Sequence, residues 1–143
     1  MFSKRIFVSL LIIFMTAILF CPALAQLTIL YEYKDVEITV NLKRKNTVLE
    51  KGKYDFEFSR MKTQAMHFLR ISKEGKKIWT IQGEKLYYKS SGSKQWHDPE
   101  IPEKPRMRIE KIAEEKIVHI IFETGKKSRI YPFLKLRFKL EYE

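Results

Sequence analysis

Apolar and polar side chains alternate with a period of two through nearly all of the chain after residue 25, and no long stretch carries the i, i+3, i+4 spacing of an amphipathic helix. A strand turns successive side chains to opposite faces, so each alternating run is a ribbon with one oily and one wet side. Leu27, Ile29, Tyr31 and Tyr33 form one apolar set, and Val36, Ile38, Val40 and Leu42 the next. After a basic run and the short piece Thr47 to Leu49, "EKGKY" turns the chain, and Tyr54, Phe56 and Phe58 alternate with Asp55 and Glu57. "MHFLRIS" and "KIWTIQG" flank Lys73-Glu74-Gly75-Lys76, the pattern of a hairpin. "EKLYYK" supplies another strand, "RMRIEKI" and "IVHIIFE" bracket Ala113 to Lys116, and "TGKKS" turns into the closing ribbon "FLKLRFKLEYE". The expectation is an all-β single domain of eight to nine short strands, an antiparallel β-sandwich or small barrel. Residues 105–116 are the exception, because "EKIAEEK" also contains good helix formers.

The first 25 residues fall outside this pattern. Lys4 and Arg5 precede an apolar stretch from Ile6 to Phe20, and "CPALA" places Ala23 and Ala25 where a signal peptidase needs small residues. Cleavage after Ala25 leaves residues 26–143 as the domain and predicts a periplasmic or secreted protein. An uncleaved membrane anchor is the competing reading of the same stretch. The chain's 1 cysteine, Cys21, leaves with the leader, so the mature domain is stabilised without disulfides and points to a bacterial envelope. A membrane-spanning barrel needs strands of about 9 to 11 residues, which most of these runs do not reach.

The formal net charge is +11, and the leader contributes Lys4, Arg5 and no acid to it. A basic domain is drawn to anions. Outside the inner membrane those are lipid head groups and acidic glycans, so nucleic acid is not expected as a partner. In the closing ribbon, Lys135, Arg137 and Lys139 lie about 7 Å apart on one side, and Lys127 and Arg129 continue the parity across the turn. These five residues are a candidate anion-contact face. A lysine-lined edge strand that resists edge-to-edge aggregation explains the same pattern without a ligand.

The stretch 90–105, "SSGSKQWHDPEIPEKP", breaks the alternation, with Pro99, Pro102 and Pro105 at the three-residue period of a polyproline II helix. It reads as a stiff strap between sheets, with Trp96 and Ile101 either tucked over the core edge or presented to a partner. Catalytic signals are weak. His67 and His119 lie inside strand runs, His97 lies in the strap, and no metal-ligand spacing is present. "ETGKKS" lacks the earlier glycine and the hydroxyl residue of a phosphate loop. Neither catalysis nor a cofactor is expected.

Two stretches carry resemblances. "LEKGKYDFEF", followed by "FLRISKEGKK", resembles the entry and hairpin of small exported bacterial β-proteins without an assigned function, and implies a fold only. "IWTIQGEKLYYK", then "DPEIP", is similar to the tryptophan strand and following step of periplasmic lipopolysaccharide-transport bridge proteins, with Gly83 where that family usually has alanine. That resemblance implies an open β jelly roll shielding acyl chains. The expected function is therefore a non-catalytic binding or structural module of the cell envelope, contacting a protein or an anionic surface. The alternative is a periplasmic carrier of a lipid or other apolar ligand.

Overall fold

The structure, a computed structural model, describes residues 27–61, 66–89, 101–126 and 133–143, and of residues 87–89 the backbone only. These residues form two antiparallel sheets packed face to face, with no helix among them. The described residues form ten strands, where the sequence pattern suggested eight or nine. They are β1 (Leu27–Ile38), β2 (Leu42–Arg44), β3 (Thr47–Leu49), β4 (Gly52–Met61), β5 (His67–Lys73), β6 (Lys76–Gln82), β7 (Glu84–Lys89), β8 (Arg106–Ile112), β9 (Ile117–Glu123) and β10 (Phe133–Tyr142). The first sheet has the order β1-β4-β5-β6, and the second β3-β2-β10-β9-β8 with β7 also on β10.

The first two apolar sets of the sequence are largely one strand. β1 keeps pairing with β4 through two register shifts, between Ile29 and Tyr31 and between Tyr33 and Val36. Asp35 in the second shift has a φ of 54°, held by its amide donating to the Asp55 carboxylate at 3.1 Å. An irregularity of this kind adds residues without ending a strand. The β5–β6 turn is the expected hairpin: Lys73 pairs with Lys76, and Glu74 and Gly75 both have positive φ. At 105–116 pairing wins over local helix propensity. All seven residues of β8 are in register with β9, and the Lys116 amide closes the turn on the Ala113 carbonyl.

Each inner face is the apolar parity of its strands. Phe56, Phe58, Leu69 and Ile71 from the first sheet meet Ile120, Phe122, Leu136 and Phe138 from the second. Phe58 stacks on Phe122 with centroids 4.2 Å apart and planes 6° from parallel, and lies 5.5 Å from Phe138. All three rings are fully buried, so aromatic carbon fills the middle of the sandwich from one sheet to the other.

The chain passes from the first sheet to the second at Gly83, between β6 and β7, where the Gly83 amide donates to the His67 carbonyl. β7 and β2 lie end to end along one side of β10, and β9 covers the other. β10 is therefore the middle strand of its sheet. The edge-strand reading of its lysines is corrected: β10 pairs with β9 on one side and with β7 and β2 on the other, so it is an interior strand of its sheet.

Candidate functional site

The parity of the closing ribbon is as expected. Leu134, Leu136, Phe138 and Leu140 are buried, and Lys135, Arg137 and Lys139 line the outer face of the second sheet. On that face they meet acids. Lys135 is in register with Glu123 of β9, whose side chain is only 4% exposed. The Glu123 carboxylate receives Arg106 at 2.7 Å, Arg108 at 3.7 Å and Lys135 at 3.9 Å. Arg137 donates from Nε and from a terminal nitrogen to one oxygen of Glu84, at 3.2 and 2.6 Å. Lys139 lies opposite His119 and is exposed, and among the described residues it has no carboxylate partner. Among the described residues the face is a mixed ion network in which Lys139 has no acidic partner. Lys127 and Arg129 lie outside the described residues.

Long side chains also seal this face. Ile121 sits between Arg108 and Arg137 in register and is 6% exposed, because stems of charged residues cover apolar neighbours while their heads stay wet.

Of the strap, residues 101–105 are described. Ile101 is half-buried, the Pro102 carbonyl accepts the Lys126 amide at 2.8 Å, and Glu103 pairs with the Lys126 ammonium at 3.0 Å. Gly125 has a φ of +80°, and a Cβ there would come within 2.6 Å of the Lys104 backbone. This end of the strap is thus docked closely against the end of β9. Trp96 lies outside the described residues.

Two features went unrecognised in the sequence. The first is a polar group on the inner face of the first sheet. Arg60 continues the inward parity of Phe56 and Phe58, and His67 that of Leu69 and Ile71, and the two are directly paired across β4 and β5. His67 is 4% exposed. Its Nε2, the Nε of Arg60 and, elsewhere on the inner side, the Tyr33 hydroxyl are shielded from solvent without a hydrogen-bond partner. Such groups each destabilise a fold by about 1–3 kcal/mol. Burial, and then the charges of Arg60 and Lys85, hold the His67 pKa below the usual imidazole value. Burial, and then Tyr31, push the Tyr33 hydroxyl up to about 12. Extending the inward parity past Phe58 would have found Arg60.

The second is a run of exposed apolar side chains on β1, with Leu27, Ile29 and Tyr31 all more than two-fifths exposed. Among the described residues β1 pairs on one side only, with β4, and no described strand lies along its other edge.

Two results follow from the buried polar groups. Tyr33→Phe removes an unsatisfied hydroxyl and keeps the ring that packs edge-on to Phe58 and Phe122. It is expected to stabilise by about 1 kcal/mol, read as a melting temperature about 4 °C higher. Because His67 takes up a proton more readily unfolded than folded, stability is expected to fall as pH drops below the ordinary histidine value of about 6.5. Melting curves from pH 7.5 to 5 check this, and His67→Gln should flatten the slope.

Among the described residues, no group of three His, Cys, Asp or Glu is placed to hold a metal ion, and no helix is long and apolar enough to cross a membrane. Comparison with family models, with curated proteins and with solved structures finds no match to this chain.

Proposed function

We propose that the protein is a non-catalytic binding or structural module of the bacterial cell envelope, exported by its N-terminal leader, that meets a protein or an anionic surface through its exterior. The observation that carries this reading is the Phe58, Phe122 and Phe138 cluster, which occupies the space between the sheets where a carrier would hold its cargo. A domain with its interior taken up by its own side chains binds on its outside. The outside offers the Lys139 face and the apolar β1 edge, unpaired among the described residues, as contacts. An unpaired edge is where an extended segment of a protein partner adds by β-augmentation.

A photo-crosslinking residue at Ile29 or Lys139, in cells expressing the full chain, tests the proposal. Discrete adducts from either position, lacking from a control at Glu74 in the β5–β6 turn, are expected. No adduct from either exterior position, together with lipid extractable from the purified protein, would replace this reading with the carrier.

A further inference from the structure

We infer that the protein pairs with a second copy of itself through β8, antiparallel and about a two-fold axis at Ile109. Among the described residues β8 bonds only to β9, and no described strand lies along its other side. It is also the most regular strand at the margins of the two sheets. All seven of its residues are in register with β9, whereas β1, β6 and β7 each pair through a register shift and β3 has only three residues. A bulge twists an edge away from further pairing, while a regular strand leaves its amides and carbonyls in line for it.

The apolar side of β8 lacks cover. Ile109 lies opposite Ile120, a core residue, so it belongs to the inward parity, yet it is 42% exposed where the described sheet ends. Met107, opposite the fully buried Phe122, packs against the core. An antiparallel β8 from a second copy, centred on Ile109, sets the two Ile109 side chains directly opposite each other. The inner face of one copy then continues into the next, and the contact is isologous and closes at two copies.

The charges select a second copy as the occupant. Arg108 and Glu110 flank Ile109 on the outer parity, with side chains 44% and 46% exposed. Within the chain Arg108 stands 3.6 Å from Glu110 and 3.7 Å from Glu123, longer than a direct hydrogen bond. In the pair centred on Ile109, residue 108 of each copy faces residue 110 of the other, so Arg108 meets Glu110 of the second copy at two symmetric places. Moving the centre by one residue sets Arg108 opposite Arg108, or Glu110 opposite Glu110, and like charges facing across strands oppose pairing. Lys111, which falls opposite Met107 of the second copy, is turned onto its own Tyr142 ring at 4.9 Å. Each copy is basic overall, so the copies repel at low salt; at physiological ionic strength a Debye length of about 8 Å screens the bodies more than the contact pairs. The inference rests on the exterior reading above and names its partner, at a contact that uses neither Lys139 nor Ile29.

Sedimentation of the mature chain at physiological salt tests this, and a concentration-dependent dimer is expected. Arg108→Glu and Glu110→Arg, each alone, should weaken it by about tenfold, because each sets like charges opposite one another. Mixing the two variants, or combining both changes in one chain, restores opposite charges at both places and should restore the dimer. The mature chain has no cysteine of its own, so Ile109→Cys should give a disulfide-linked dimer on mild oxidation, whereas Ile78→Cys on the β6 edge should not. A monomer at every concentration would overturn the inference, and this result needs no variant to fold. A dimer that the single charge reversals leave intact, or that Ile78→Cys links as readily as Ile109→Cys, would overturn it equally. Either failure leaves the exterior reading standing, because the crosslinks at Ile29 and Lys139 test that reading by themselves.

Discussion

Replacing Phe58 with Ala is expected to destabilise the protein by about 4 kcal/mol, within the range for deleting a fully buried ring. Phe58 is the first sheet's contribution to the stack, lying flat on Phe122 at 4.2 Å and tilted against Phe138 at 5.5 Å. Its removal opens a void bounded by both sheets, and strands fixed on both sides by ladder bonds cannot close in to fill it. Urea unfolding should show a lower midpoint with an unchanged slope, since the same surface is exposed on unfolding. A loss below about 1 kcal/mol would mean that the ring is not packed between the sheets.

The second large effect is expected at Gly83. A Cβ at this position would lie 2.5 Å from one carbon of the Phe138 ring and 2.7 Å from another. Phe138 is fully buried beside Phe58, so it has nowhere to turn. The backbone is also held, because the Gly83 amide donates to the His67 carbonyl at 2.8 Å. Gly83→Ala should therefore destabilise by about 3 kcal/mol, the upper part of the range for overpacking. Combining it with Phe138→Leu should recover part of that loss, a non-additivity that a double-mutant cycle measures. Additive losses would place the two residues out of contact. The alanine usual at this place in the lipopolysaccharide-transport resemblance would not fit here, where the chain crosses between sheets against an aromatic ring.

The strands and their buried faces were legible because alternation is a local signal. Each side of "FLKLRFKLEYE" was assigned from its own eleven letters, and burial agrees. What stands beside a strand is not local. Nothing in residues 133–143 says that β7 and β2 share one side of β10 while β9 takes the other, so its lysines looked like an edge defence. The same limit hid the acids: Glu123 and Glu84 are far from Lys135 and Arg137 in sequence, and only the register brings them together. β1 was read as two strands because a bulge interrupts alternation without interrupting pairing. Arg60 was legible in principle, two residues past Phe58 on the same parity. It was passed over because a charged residue at an inward position reads as the end of the buried run.

The central claim is that the interior of the sandwich is filled by its own aromatic side chains and that binding takes place on the outside. Native mass spectrometry of the mature chain, Gln26 to Glu143, purified from a periplasm without detergent, tests this most directly. The account predicts a monomer or clean oligomer whose mass carries no lipid-sized addition. A reproducible addition of that size, lost on solvent extraction, would contradict it and make the protein a carrier of an apolar ligand.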